Sequence, residues 1–364
     1  MIQRIIALLG QRDEPTDAVE EYCRYLATAL GECGFEMLVV RLPWAERGWA
    51  AALYELATQS VNWRGQWVCV QYTALAWSER GFPLRFLSVL NVLRRAGARV
   101  VVVYHDAVPY AGDRPVDKLR RAVQLHVMRQ SLRRADLAIF TLPLSAIRWL
   151  PGSTRNAAFI PVGANLPLAS LATQKPSESP HDALRVAVFG ITGGEAGRQE
   201  AVRIVEAVGF VASKIGKLEL HAFGRHADDC ESMLREGLRG FPVDVRVKGV
   251  LAADEVAAEL SSADVLLFVR GPISTRRGSA IAGIACGLPV IAARGAETAG
   301  PIEEAGVALV SADKPREFGD ALLRVLTTPG RRAELIEKSR LAQDKYFSWQ
   351  AIATRYAEEL WKAR

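Results

Sequence analysis

Two strand-to-helix junctions hold the residues best suited to chemistry. The first spans residues 189–197 and reads Phe-Gly-Ile-Thr-Gly-Gly-Glu-Ala-Gly. Glycines at such a place let backbone N–H groups approach a phosphate at the start of a helix. Gly190, Gly193, Gly194 and Gly197 lack the spacing of a dinucleotide fingerprint, and no lysine follows as in a nucleotide-binding P-loop. The second spans residues 270–279, Arg-Gly-Pro-Ile-Ser-Thr-Arg-Arg-Gly-Ser, between an apolar strand and a helix. Ser279 is expected to cap that helix, so that the N–H groups after it can meet an anion. Arginines beside a helix start add charge-assisted hydrogen bonds to phosphate oxygens. Arg276, Arg277, Gly278 and Ser279 are therefore the expected diphosphate site, with Gly193 and Gly194 closing it from the facing loop. A tight turn and a solvated surface loop are the plain alternatives.

His105 ends an apolar strand and is followed by Asp106. A histidine at the carboxyl end of a strand is better placed for function than one on an apolar face. His126, His181, His221 and His226 read as structural. No nucleophile–base–acid order and no metal-ligand spacing can be assembled from these residues, so no metal site is expected.

The elements that must position these residues alternate through the chain. Short β-branched runs at 5–10, 36–42, 66–72, 99–106, 136–142 and 157–162 are separated by helical patterns such as 17–32 and 83–96. Residues 170–182 are rich in Ser, Pro, Thr and Lys without periodicity, which reads as a linker. The alternation restarts with strands at 185–190, 217–224, 243–249, 263–270, 289–293 and 307–312, and three helical segments close the chain. Such alternation predicts βαβ units with parallel sheets. The expectation is an α/β protein of two Rossmann-like, doubly wound domains facing a cleft. The first covers 1–165, a linker 166–183, and the second 184–347, with a helix at 348–364 packing back on the first. Ligands of such folds sit at the carboxyl ends of the strands.

Length and composition agree with two domains. The chain has 364 residues, half of them hydrophobic and a quarter charged, so each half can bury a core. Five scattered cysteines, never spaced as C-x-x-C, argue against a disulfide framework or a zinc site and suit reduced thiols in a cytoplasmic protein. No apolar run is long enough to span a membrane, and the apolar start reads as a first strand rather than a secretion signal. Residues 1–165 carry 20 Lys and Arg against 14 Asp and Glu, whereas the remainder is balanced, 26 against 26. Much of the excess lies between Arg114 and Arg134. A basic helix there could touch an anionic membrane surface, placing the protein at the inner membrane face, or could be a solvated face. Nothing points to nucleic acid.

The order of these pieces resembles the GT-B glycosyltransferases of the retaining family 4. The resemblance rests on the helix 20–29 after a first loop, Val-Tyr-His-Asp at 103–106, Ile-Pro-Val-Gly at 160–163 and Lys-Gly-Val at 248–250. Asp254-Glu255, Ser-Ala-Asp at 262–264, Ala-Cys-Gly-Leu-Pro-Val-Ile at 285–291 and Phe-Ser-Trp at 347–349 complete it. It implies a metal-independent transferase needing no cofactor, which moves a sugar from a nucleotide-diphosphate donor to a hydroxyl acceptor on a glycan or lipid carrier. His105 would contact the donor sugar, Gly249 and Val250 the nucleotide base, and Asp13, Thr16 and Asp17 the acceptor. The family's paired glutamates fall on Ser274 and Ala282, its arginine falls on Ile191, and Arg198 lies near the place of its lysine. Those departures keep two other readings open: a non-catalytic partner of the same fold, and a nucleotide-sugar epimerase or pseudo-glycosidic coupling enzyme.

Overall fold

The computed structural model describes residues 2–14, 16–167 and 183–363. The expected linker at 170–182 lies outside the described residues. The chain divides into two compact units, Met1–Pro161 with Trp349–Arg364, and Val162–Ser348.

In the first unit a six-stranded sheet has the order β2-β1-β3-β4-β5-β6, every pairing parallel. Its strands are β1 (Gln3–Leu9), β2 (Phe35–Arg41), β3 (Trp67–Tyr72), β4 (Arg99–Tyr104), β5 (Leu137–Phe140) and β6 (Ala157–Phe159). Helices α1 (Ala18–Glu32), α2 (Trp44–Arg47), α3 (Trp49–Ser60), α4 (Phe86–Arg95) and α5 (Pro115–Leu132) connect them. Central strands covered on both faces read as unbroken apolar runs. Accordingly Val100–Tyr104 are wholly buried. Chain order reverses between β1 and β3, so the carboxyl ends of these two strands are the expected ligand position.

The second unit repeats the principle with the order β12-β11-β10-β7-β8-β9, again all parallel. Its strands are β7 (Leu184–Phe189), β8 (Leu218–Phe223), β9 (Val243–Val247), β10 (Val265–Pro272), β11 (Val290–Arg294) and β12 (Val307–Ser311). The helices are α6 (Gly194–Ile215), α7 (Glu231–Gly237), α8 (Ala253–Ser261), α9 (Gly278–Ala285), α10 (Pro301–Glu304), α11 (Pro315–Thr327) and α12 (Pro329–Ala342). Here the reversal falls between β7 and β10. Two doubly wound parallel sheets are thus the architecture of the chain.

The last helix, α13 (Trp349–Lys362), belongs to the first unit and lies on α1. Trp349 stacks on Tyr25 at 5.6 Å, and the hydroxyls of Tyr22 and Tyr356 hydrogen-bond at 2.8 Å in the core. Among the described residues no helix is long and apolar enough to cross a membrane.

Candidate functional site

In the second unit the end of β7 turns sharply into α6. Gly190 adopts φ +76° and donates its N–H to Phe223 O at 2.7 Å. The loop is folded onto the first turn of α6 by Glu200, which is 6% exposed. Its carboxylate accepts from Thr192 N at 2.8 Å and from Thr192 Oγ1 at 2.7 Å. Gly197 permits this, because a Cβ there would stand 1.8 Å from Thr192 O. Gly193 is the N-cap of α6 and, lacking a side chain, makes no side-chain cap. The first N–H groups of this 22-residue helix therefore keep their capacity for an anion, and the helix dipole favours one.

Arg270, near the end of β10, reaches the same place. A Cβ on Gly190 would lie 3.2 Å from Arg270 Nη1. The Nε of Arg270 is buried and has no hydrogen-bond partner among the described residues. Burial pulls its pKa below the ordinary arginine range, Glu200 pushing it up and Arg225 adding to the fall. Arg225 belongs to the loop after β8, where its carbonyl accepts from Ile191 N at 2.9 Å. His226 follows with φ +60°, rare for a residue with a side chain, and its ring covers Gly193. A guanidinium out of water is costly unless an anion or acceptor meets it. Arg225 is close enough to act on the charge of Arg270, and Glu200 partly offsets it, beside a helix start that no side chain caps.

The second junction is built differently from expectation. Arg277, not Ser279, stands at the N-cap of α9, and Gly278 and Ser279 are its first two residues. Arg276 is held by Glu297 in a two-pronged ion pair, Nε to Oε2 at 3.0 Å and Nη2 to Oε1 at 3.1 Å. That pairing, unreadable from the local sequence, engages the guanidinium expected to meet phosphate. The small residues of α9 serve packing against the sheet, since a Cβ on Gly283 would stand 2.4 Å from Leu266 Cδ2. Ser274 and Ala282, at the places of the family's glutamates, are both buried. Of the remaining residues, Arg198 is exposed and 3.5 Å from Glu195, Gly249 O accepts from Gly224 N at 2.9 Å, and Val250 is half exposed.

In the first unit a cavity of about 420 Å³ opens at the ends of β1 and β3. It brings together Asp13, Asp17, Gln71, Glu79 and Asp106, with Arg12 as its one basic lining residue. Thr16 does not line it. Gly10 lets the β1 loop close, because a Cβ there would stand 2.2 Å from Ala76 O. Asp17 is the N-cap of α1: its Oδ1 accepts from Val19 N and Glu20 N, each at 3.1 Å, and its Oδ2 from Arg41 at 2.9 Å. Both oxygens are thus committed to the fold.

His105 sits behind this cavity. Its Nε2 is 2.8 Å from Gln71 Oε1. Gln71 Nε2 donates to Cys69 O, so Oε1 is left to accept from His105, which assigns the proton to Nε2 and makes Nδ1 an acceptor. Tyr22 meets the ring edge-on at 5.0 Å. Burial lowers the imidazole pKa to about 4, against the opposing pull of Asp17, so the ring is neutral at pH 7.

On the basic helix α5, Arg114, Lys118, Arg129 and Arg133 are exposed, whereas Arg120 and Arg121 turn onto neighbouring loops. Arg120 donates to Arg80 O at 2.9 Å and to Asp117 at 2.6 Å, and Arg121 donates to Tyr110 O and Gly112 O at 3.0 and 2.9 Å. These arginines hold loops in place. Sequence reasoning singled out the junction that Arg270 opens but not Glu200 or Arg225, which the strand order alone brings near it.

Comparison with known proteins agrees with this construction. Residues 188–328 match the family model described as glycosyl transferases group 1. HepE from Anabaena, solved with UDP and glucose, is 14% identical, with a TM-score of 0.67 over 99% of this chain and all of that one. Sucrose-phosphate synthase from Thermosynechococcus elongatus is 20% identical, with a TM-score of 0.68 over the whole of both chains. A glycosyltransferase from Rickettsia africae is 12% identical, with a TM-score of 0.68 over 99% of this chain and 98% of that one. No curated protein matches. The fold is that of the GT-B glycosyltransferases, and the match to the glycosyl transferases group 1 model lies within the second unit.

Proposed function

We propose that the protein transfers a sugar from a nucleoside-diphosphate donor, bound by the second unit, to a hydroxyl acceptor bound by the first. The observation that carries this reading is Arg270, whose buried Nε has no partner beside the uncapped start of α6. A diphosphate supplies the acceptor oxygens that this corner lacks, and the UDP complexes of HepE are of the corresponding ligand class. Gly193 and Gly194 offer backbone N–H groups, Arg225 a second guanidinium, and Gly249 and Val250 the place for the base. Arg277 and the start of α9 form the secondary contact. His105, neutral and held by Gln71, orients a hydroxyl of the sugar through Nδ1 rather than acting as a charged base. Transfer with retention and without a metal follows the resemblance to family 4: the leaving diphosphate takes the proton, and the protein stabilises its charge.

Calorimetric titration with UDP tests the binding half. Arg270→Ala should weaken UDP about ten- to a hundredfold, the range for a charged hydrogen bond, while uridine is unaffected. Arg276→Ala should change UDP binding less than about threefold, because its guanidinium is already paired. Equal UDP affinity in Arg270→Ala and wild type would move the site elsewhere. Turnover of UDP-sugars, with and without EDTA, tests the transfer half. UDP binding without any turnover would make the chain a non-catalytic member of the fold.

A further inference from the structure

A second cavity in the first unit, of about 390 Å³, has no role in the reading above. It shares Leu75, Glu79 and Asp106 with the first cavity, so the two adjoin along one wall. The rest of its wall sets Tyr72, Ala74, Val108, Tyr110 and Met128 beside Arg80, Arg120 and Gln124, and most of its exposed area is apolar. Tyr72 is 1% exposed, and its hydroxyl is buried with no hydrogen-bond partner among the described residues. Phe86 and Tyr104 pack on its ring at 4.9 and 5.5 Å, so the phenol cannot turn toward water without breaking the core. Burial, helped by Tyr104 and Asp106, holds this phenol protonated as a donor. A buried donor without an acceptor is a cost that folding alone does not explain.

The cavity is built before any ligand arrives. The Arg120 guanidinium lies over the rings of Tyr110 and Phe82 at 4.7 and 5.5 Å, and is fixed by Asp117 and the Arg80 carbonyl. Gln124 accepts from Tyr110 N at 2.7 Å and donates to Gly81 O at 3.0 Å. Two polar side chains of α5, Arg120 and Gln124, thus serve one wall. An apolar cavity of about 150 Å³ suffices for a benzene ring, so this one holds an aryl group or a short alkyl chain.

We propose that this second cavity binds the apolar, aryl or alkyl, part of an acceptor whose hydroxylated part occupies the first, with the Tyr72 hydroxyl donating to the oxygen that joins them. The proposal rests on the transferase reading for the word acceptor, but its site is independent of the nucleotide. The acceptor class is then an amphiphilic glycoside or alcohol rather than a purely polar sugar. Carboxylates dominate the polar cavity, which disfavours an anionic group there.

The test titrates the full chain with matched methyl and phenyl glycosides of glucose, galactose, mannose, rhamnose and N-acetylglucosamine, with UDP measured in parallel. For at least one sugar the phenyl glycoside should bind about tenfold or more tightly than the methyl glycoside, from the apolar area it buries. Val108→Trp, at a part-exposed position of the wall, should erase that advantage. Tyr72→Phe should weaken the phenyl glycoside several-fold while melting no lower than wild type, since it deletes an unpaired hydroxyl. Equal binding in every pair, or no glycoside binding at all, overturns the proposal, as does an advantage that survives Val108→Trp. Absence of UDP binding in the wild type would instead sink the donor assignment and leave the glycoside result to stand on its own.

Discussion

The two units start their first helix in opposite ways. In the first, the helix after β1 is capped by Asp17, whose carboxylate takes two backbone N–H groups and the Arg41 guanidinium. In the second, the helix after β7 has its N-cap at Gly193, which offers no side chain, and Arg270 reaches Gly190 just before it. Both helices run from the carboxyl edge of a parallel sheet, and both starts carry the same dipole. The difference is whether the protein satisfies that end itself. Where it does, the neighbouring cavity is rich in carboxylates; where it does not, the start of the helix is the place proposed above for the donor's diphosphate.

The comparison is broken most severely by exchanging the cap. Gly193→Asp would give α6 the cap that α1 has, at a position whose extended φ of −71° and ψ of 156° admits a side chain. The nearest atoms to the added Cβ belong to the ring of His226, an exposed side chain. UDP affinity should fall about a hundredfold or more from like-charge repulsion, while the fold gains up to about 1 kcal/mol from the cap. Titration and denaturant unfolding together check this, and a variant that loses stability and keeps UDP would refute the anion role of α6.

Removing the cap of the first unit should show the reverse. Asp17→Ala should cost about 2 kcal/mol of stability, through two lost N–H partners and a less well paired Arg41, and leave UDP binding unchanged. Chemical denaturation measures the loss. A variant as stable as wild type would mean that Asp17 is free for a ligand.

His105 sharpens the same contrast through pH. Its folded pKa of about 4 lies below the unfolded value near 6.5, so between those values the unfolded chain binds more protons. Stability should therefore fall as the pH drops from about 6.5 to 4, by at most roughly 3 kcal/mol and less for the part of the ring in contact with solvent. His105→Gln should flatten that slope in melting curves taken across the window. Activity should show no titration of His105 between pH 6 and 8.

The smallest effect belongs to α5. Arg121→Ala removes two hydrogen bonds to the carbonyls of Tyr110 and Gly112 at the surface, and should cost about 1 kcal/mol or less. Thermal melting resolves that shift.

By itself the sequence determined the central strands, because β1, β3 and β4 are short apolar runs buried on both faces. The cap of α1 is equally local, since Asp17 acts on N–H groups two and three residues away. What it could not determine was which arginine meets an anion. Arg276 is neutralised by Glu297, 21 residues on, and Arg270 stands beside Gly190 only because β7 and β10 pair, with Val186 opposite Val265. The orphan hydroxyl of Tyr72 is equally invisible in one dimension, as it lies in a strand that reads as ordinary core. Local interactions decide helices, strands and caps within a few residues, whereas charge pairing and cavities depend on which distant strands become neighbours. That is settled by the tertiary fold alone.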